Sequence, residues 1–84
     1  MNTRESIGLN LRRLRVERGL SQERLALASG IDRSYVGRIE RGSENVTVEA
    51  LEALTTVLGV PVRQLFDEPT DAAPARLPSG RRRK

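Results

Sequence analysis

The apolar residues in the first part of the chain recur with the spacing of an amphipathic helix. Ile7, Leu11 and Leu14 lie three or four residues apart, and Val16 is close by. This stripe predicts a helix over about residues 3–18 with one face directed at a core. The glycine that follows is expected to end the helix, because glycine readily takes the left-handed backbone of a helix terminus.

Two short helices are predicted next, and a three-residue turn containing glycine separates them. Ser21 and Asp32 are good N-cap residues, and Gly30 suits the turn. Two short helices at this spacing indicate a helix-turn-helix. The predicted inward positions are Leu25, Ala26 and Ala28 in the first of these helices and Val36 and Ile39 in the second.

A fourth and a fifth helix complete the predicted domain. Thr47 is placed to cap the fourth, Gly59 lies just past its end, and Pro61 suits the first turn of the fifth before Pro69 stops it. The expected fold is a compact all-α domain of five helices within residues 1–68, with the helix-turn-helix formed by helices 2 and 3. The inward positions are Ala50, Leu51, Leu54 and Leu58 in the fourth helix and Val62, Leu65 and Phe66 in the fifth.

The composition changes where this domain ends. Residues 69–84 are rich in proline, alanine and arginine and offer little apolar surface, so we expect a disordered basic tail. Its last residues, Ser79 to Lys84, either follow DNA phosphates and steepen the salt dependence of binding or only keep the protein in solution.

Charge is unevenly distributed along the chain. Residues 1–41 carry nine arginines and five carboxylates, a balance of +4, whereas residues 42–70 carry one arginine and five carboxylates, a balance of −4. A basic front half and an acidic back half favour a protein that presents one face to phosphates. Ordinary solvated surface charge is the alternative interpretation.

The chain contains neither cysteine nor histidine. Disulfides and thiolate metal sites are therefore excluded, and the commonest metal ligand and general base is missing. No nucleophile and base are paired as in a hydrolase or transferase, so we expect no enzyme, no metal and no cofactor. No apolar run is long enough to span a membrane and no signal peptide is recognisable, which predicts a cytoplasmic protein, and no feature points to a small-molecule ligand.

Several spaced motifs resemble one family of DNA-binding proteins. The chain carries GLSQERLA at residues 19–26, SGIDRSYV at 29–36, IERG at 39–42, LGV at 58–60 and LF at 65–66. Together they resemble the Xre family, the Cro and phage-repressor type of helix-turn-helix, over roughly residues 5–67. The motifs DRSY, IERG and NVT are most similar to those of controller proteins of restriction-modification systems. The resemblance implies a lambda-repressor-like fold and a dimeric regulator that binds paired operators and controls its own gene and a neighbouring one.

The second helix of a helix-turn-helix enters the major groove, where side chains near its start reach base edges. Arg33, Ser34, Tyr35 and Arg38 occupy these positions and are the predicted base contacts. Arg33 is the first candidate for a bidentate contact with guanine, and Gly37 would let the helix lie close to DNA. Both arginines could instead be solvated helix charges. Tyr35 either packs partly against the domain or places its ring on a thymine methyl and its hydroxyl on a phosphate.

Phosphate contacts are expected on either side of this helix. The resemblance implies one for Gln22, at the positive N-terminal end of helix 2, although an exposed polar residue would look the same. The remaining candidates are Arg41, Ser43 and Asn45. Glu44 departs from relatives that carry a basic residue there. Either this loop contact is absent, or Glu44 pairs with an arginine of its own or of a partner chain.

Two further sets of residues are assigned to structure and assembly. The resemblance implies an ion pair between Arg15 and Glu40 across the first and third helices, whose loss is expected to lower the melting temperature first. The apolar side of the fifth helix can serve as core, as the seam of a homodimer, or as both. The seam candidates are Val60, Val62, Leu65 and Phe66.

The leading hypothesis is a transcriptional regulator that binds double-stranded DNA at an inverted repeat and controls its own promoter, with RNA polymerase as a further candidate partner. One alternative is a DNA-binding antitoxin, which normally needs a segment able to cover its toxin. Residues 69–84 hold almost no large apolar side chain besides Leu77, which argues against it. The other alternative is a pure protein-interaction domain, disfavoured by the groove-facing arginines.

Overall fold

The computed structural model describes residues 1–69, and the expectations for the rest of the basic tail lie outside these residues. The described part is all-helical, as predicted, with four α-helices followed by one 3-10 helix. The elements are α1 (Thr3–Glu17), α2 (Gln22–Ser29), α3 (Arg33–Glu40), α4 (Val48–Leu58) and the 3-10 helix (Val62–Phe66).

Side-chain caps fix where the α-helices begin. The predicted caps of α2, α3 and α4 are confirmed, since Ser21, Asp32 and Thr47 each accept a hydrogen bond from a backbone N–H of the first turn at 2.9 to 3.1 Å. At α1, the Asn2 side chain accepts from the Glu5 backbone N–H and the Glu5 side chain accepts from that of Asn2, a capping box that was not predicted from the sequence. These caps fix the residue at which each helix begins.

One core is shared by all five elements. α1 packs against α3 and the 3-10 helix, while α2 packs against α3 and α4. Two of the predicted inward positions were wrong, because Ala28 near the end of α2 and Phe66 at the end of the 3-10 helix are exposed, as is Val16, which lies beside the stripe of α1. The buried apolar residues are Ile7, Leu11, Leu14, Leu25, Ala26, Val36, Ile39, Leu51, Leu54, Leu58 and Leu65.

The predicted fifth α-helix is instead a short 3-10 helix. Its segment is bounded by Pro61 and by Glu68, which is disfavoured in the α-region because Pro69 follows it. So few residues form almost no i to i−4 hydrogen bonds, whereas the tighter turn closes with Gln64 N donating to Pro61 O at 3.0 Å. The element still delivers Leu65 to the core, where it is completely buried.

Buried polar contacts tie α1 to the end of the domain. Asn10 is 1% exposed, and its side-chain amide donates to the carbonyls of Leu65 at 2.9 Å and Asp67 at 2.7 Å. Arg18 donates through Nε to the carbonyl of Leu58 at 2.7 Å and so satisfies an end of α4. α1 therefore holds both C-terminal elements in place.

The close approach of α1 to the end of α3 depends on Gly8. A Cβ at this position would lie 2.7 Å from the carbonyl oxygen of Glu40, which is shorter than a van der Waals contact with this backbone atom allows. Gly8 itself is buried. Its missing side chain therefore lets the two backbones meet and sets the position of α3.

Candidate nucleic-acid interface

The outer face of α3 is a row of exposed polar and cationic side chains. Val36 and Ile39 bury the opposite face of the helix, which leaves Arg33, Ser34 and Arg38 exposed to solvent. With neighbouring side chains they surround a shallow depression between α2 and α3. Its lining residues are Gln22, Arg33, Ser34, Gly37, Arg38 and Arg41.

Gly37 lies beneath two of these side chains. A Cβ at this position would lie 3.3 Å from Nη1 of Arg41 and 3.7 Å from Oε1 of Gln22, and Gly37 is buried. Arg41 and Gln22 therefore border the space that a side chain at this position would take. This gives Gly37 a role in packing two candidate phosphate contacts against α3.

Glu40 joins three elements through its carboxylate. Arg15 Nε lies 2.7 Å from Glu40 Oε2, and Arg15 Nη2 lies 3.1 Å from Oε1, so the contact is bidentate. Gln22 Nε2 donates to the same Oε1 at 3.0 Å. The Glu40 side chain is 5% exposed and that of Arg15 12%. The hydrogen bond to Glu40 raises the pKa of Arg15 above its ordinary value, against an opposing effect of burial.

Gln22 is consequently held in place before any DNA is bound. One of its two amide N–H groups is directed at Glu40, and the other remains available as a donor. The backbone at the start of α2 adds the positive end of the helix dipole. The arrangement is compatible with a phosphate contact from this residue.

Tyr35 is half-buried, and a hydrogen bond anchors it to the N-cap residue of α4. Its hydroxyl oxygen accepts a hydrogen bond from the backbone N–H of Thr47 at 3.2 Å. The Arg38 guanidinium carbon lies 5.6 Å from the ring centroid, within range of a cation–π interaction. Packing against the domain is thus observed, while the hydroxyl proton is still available to donate.

Glu44 pairs with an arginine of its own chain, which was one of the two alternatives for this position. Arg38 Nε lies 2.6 Å from Glu44 Oε1, and the side chains are 44% and 22% exposed, respectively. The hydrogen bond to Glu44 raises the pKa of Arg38, with smaller contributions from neighbouring charges. The predicted base contact Arg38 is therefore already engaged in the free protein.

The remaining loop candidates lie at the surface beside this pair. Asn45 and Arg41 are exposed, and Ser43 is exposed with its hydroxyl donating to the carbonyl of Arg38 at 3.2 Å. Of the predicted DNA-contacting residues, all except the half-buried Gln22 and Tyr35 are thus exposed to solvent.

The predicted dimer seam needs a correction at Leu65. This residue has no exposed surface because it fills the intramolecular core, so it cannot contact a second chain. Phe66 is 48% exposed, whereas Val60 and Val62 pack partly against the core. Only these three remain candidates for the seam.

Other kinds of site find little support in residues 1–69. No group of three or more histidine, cysteine, aspartate or glutamate side chains in this range could hold a metal ion. None of its helices combines the length and apolar character needed to cross a membrane. The chemistry of the α3 surface is that of arginine, amide and hydroxyl donors, which suits phosphate oxygens and base edges.

An all-helical domain with a capped helix pair and donors along the second helix is typical of DNA-binding proteins of the helix-turn-helix class. The family model described as helix-turn-helix matches residues 11–65. The chain belongs to this family, in its Xre/Cro type, and is a DNA-binding transcriptional regulator rather than an enzyme.

Proteins named as regulators are similar to this chain over most of its length. The transcriptional regulator y4dJ of Sinorhizobium fredii is 42% identical over 74 residues, which cover 88% of this chain and 95% of that protein. The restriction-modification controller protein C.AhdI from Aeromonas hydrophila has 49% identity and a TM-score of 0.73, covering 75% of this chain and 96% of the other. The biofilm regulator SinR, solved in complex with DNA, has 37% identity and a TM-score of 0.70, covering 73% and 98%.

Proposed function

We propose that this regulator binds a two-fold symmetric operator as a homodimer and controls its own promoter and a neighbouring gene. The observation that carries the proposal is the exposed row of Arg33, Ser34 and Arg38 on α3. The buried face of the same helix fixes these side chains relative to the domain. Control of an own and a neighbouring gene is what the resemblance to restriction-modification controller proteins implies, and similarity to one such protein supports it.

Base recognition is assigned to the start and outer face of α3. Arg33 and Ser34 occupy its first turn and Arg38 follows one turn later, so all three reach base edges when α3 enters the major groove. Tyr35 contributes its ring edge or its hydroxyl proton at the margin of this surface.

Phosphate contacts are assigned to residues that flank the groove. Gln22 and Arg41 lie on one side of α3 and are packed over Gly37. Ser43 and Asn45 lie in the loop before α4. These contacts fix the orientation of the domain on DNA and carry no sequence information by themselves.

The dimer is proposed to form through Val60, Val62 and Phe66. These residues lie near the end of the domain, which spans residues 1–68. The exposed half of Phe66 is apolar surface that a second copy would cover. A two-fold seam at this point would present two copies of α3 to successive major grooves about 34 Å apart. The bound regulator would contact RNA polymerase only if its operator adjoins the promoter.

The test is selection of bound sequences from a random duplex pool at about 0.15 M salt, where non-specific phosphate binding is weakened. We expect a symmetric consensus with half-sites one or more helical turns apart, and a two-chain mass by sedimentation equilibrium. Enrichment of no sequence would contradict base recognition, and the antitoxin or interaction alternatives would then be preferred. A one-chain mass at micromolar concentration, both free and on DNA, would contradict the dimer.

A single substitution tests the proposed dimer seam. Phe66→Asp puts a carboxylate at the centre of the proposed seam, and we expect it to shift the protein to a single chain and weaken operator binding while leaving the fold intact. Val16→Asp is the matched control, because it puts the same carboxylate in place of another exposed apolar residue, outside the proposed seam. A dimer that survives Phe66→Asp would place the seam elsewhere.

A further inference from the structure

The ion pair between Arg38 and Glu44 lies on the surface that is proposed to face DNA. A carboxylate at such a surface repels phosphates, so its presence beside a base-reading arginine needs a physical explanation. The inference below rests on the proposed function and concerns how that surface selects its sequence.

Glu44 occupies only one edge of the arginine. It accepts from Nε at 2.6 Å, while the terminal amino groups Nη1 and Nη2 make no hydrogen bond to any residue between 1 and 69. A guanidinium approaches guanine O6 and N7 end-on through two parallel N–H donors. The edge that such a contact needs is therefore the edge that Glu44 leaves open.

The arginine is restrained from more than one side. Its guanidinium lies 5.6 Å from the Tyr35 ring centroid, and Tyr35 is itself held by the Thr47 backbone N–H. The Ser43 hydroxyl donates to the Arg38 carbonyl and so fixes the loop that carries Glu44. A side chain restrained before binding loses less conformational entropy when it contacts a base.

The carboxylate also changes the balance between specific and non-specific binding. Paired with Glu44, Arg38 adds little net positive charge to the surface, so it contributes little to the release of counterions from phosphates. Its hydrogen-bond donors toward a base edge are unaffected by this compensation. The pair therefore favours base recognition over phosphate attraction at the same arginine.

We propose that Glu44 is a specificity-determining residue that positions Arg38 for end-on recognition of a guanine and offsets the attraction of that arginine for phosphates. Arg38 makes the base contact, and Glu44 acts through it. The assignment adds Glu44 to the residues that define the operator, although it need not touch DNA.

The test compares the wild-type protein with Arg38→Ala, Glu44→Ala and the double variant. The probes are the duplex selected by the wild-type protein, every single-base-pair change within its half-site, and a random duplex, each titrated at several salt concentrations. Glu52→Ala is the matched control, because it removes an exposed carboxylate of α4 and so makes the same change in net charge. Circular dichroism melting establishes that each variant is folded.

We expect Arg38→Ala to abolish the preference for guanine at one base pair of the half-site. Glu44→Ala should reduce the preference at that same base pair by about tenfold, the order of one bidentate arginine–guanine contact. It should also tighten binding to the random duplex and steepen the logarithmic salt dependence by about 0.9, because one more cation faces phosphate. In the Arg38→Ala background, loss of Glu44 should cause no further loss of preference, and Glu52→Ala should not alter it.

Three results would overturn the inference. An unchanged guanine preference in Glu44→Ala, with the preference lost in Arg38→Ala, would mean that Arg38 reads the base unaided. A preference that survives Arg38→Ala would mean that the pair does not read that base. An equal gain of affinity for all duplexes in Glu44→Ala would mean that the carboxylate acts by charge alone. Failure of the wild-type protein to select any sequence contradicts the proposed function itself, and it is seen before any variant is compared.

Discussion

Two arginine–glutamate pairs in this domain have almost the same contact distance and very different surroundings. Arg15 Nε lies 2.7 Å from Glu40, and Arg38 Nε lies 2.6 Å from Glu44. The first pair is nearly inaccessible to solvent, whereas the Arg38 side chain is 44% exposed. Contact distance alone therefore does not tell which pair stabilises the fold.

The difference lies in how many donors each arginine uses. Arg15 donates twice to Glu40 of α3 and once to the carbonyl of Leu20, in the turn after α1, at 2.7 Å, so three of its five N–H groups are used within the domain. Arg38 donates once, to Glu44. A buried pair with satisfied donors holds elements together, and an exposed pair with spare donors remains able to contact a ligand.

The largest expected effect is on the buried pair. Glu40→Ala strands the Arg15 guanidinium and removes the acceptor of Gln22, so we expect a loss of about 3 kcal/mol in the free energy of unfolding. For a domain of this size, the melting temperature should fall by about 15 °C. Thermal and urea unfolding measure the change, and at temperatures where the variant is folded DNA binding should weaken only through the loss of the contact that holds Gln22.

Glu17→Ala is the control for this prediction. Glu17 is 55% exposed and pairs with the exposed Arg13 at 3.3 Å, so its loss should alter stability by less than about 0.5 kcal/mol. A folded Glu40→Ala protein with wild-type stability would contradict the structural role of the buried pair.

A smaller effect is expected when the charge is kept and the geometry is lost. Arg15→Lys retains a cation next to Glu40, but an ammonium cannot reproduce the bidentate contact or reach Leu20 at the same time. We expect a loss of about 1 kcal/mol in urea unfolding. A loss equal to that of Glu40→Ala would show that geometry, and not compensation of charge, accounts for the whole contribution.

The exposed pair should hardly affect stability. Arg38→Ala and Glu44→Ala are each expected to leave the melting temperature within about 2 °C of the wild-type value, because solvent and salt screen such pairs. Their effect should appear in DNA binding instead. A clear fall in melting temperature for either variant would make the two pairs equivalent and remove the contrast between them.

The smallest expected effect is that of pH on the buried pair. Contact with Glu40 raises the pKa of Arg15 in the folded state, so the stabilisation is fully present below the ordinary arginine pKa and is lost only as pH rises through the raised value. The difference in unfolding free energy between wild type and Arg15→Lys should therefore be constant between about pH 6 and 9. A difference that changes across this range would point to another titrating group.

The sequence predicted those features that depend on neighbours along the chain. Such local patterns include the apolar stripe with Leu11 and Leu14, which are buried in the structure. They also include the helix caps, which are formed by Ser21, Asp32 and Thr47. The family resemblance located the helix pair and its outward face. The pattern was wrong near helix ends, where the predicted inward residues Ala28 and Phe66 are exposed.

Features that depend on distant residues could not be predicted in this way. Asn10 has the appearance of a polar interruption in an apolar stripe, and its partner Leu65 is 55 residues away. Arg18 looks like a surface charge, although it meets Leu58 across 40 residues. The sequence left open whether Glu44 pairs with an arginine. Its pairing with Arg38 depends on the path of the loop after α3, which local patterns do not predict. A buried polar residue within an apolar stripe is the signal that could have identified Asn10, because such a group needs a partner.

The contact of Asn10 with Leu65 and Asp67 has a consequence for folding during synthesis. Asn10 is translated early, yet the carbonyls that satisfy its amide belong to the last residues of the domain. Until these residues leave the ribosome, the first helix carries an uncompensated polar group on the surface it must bury. The nascent chain should therefore gain protection from proteases in a single late step, once nearly all of the domain has emerged.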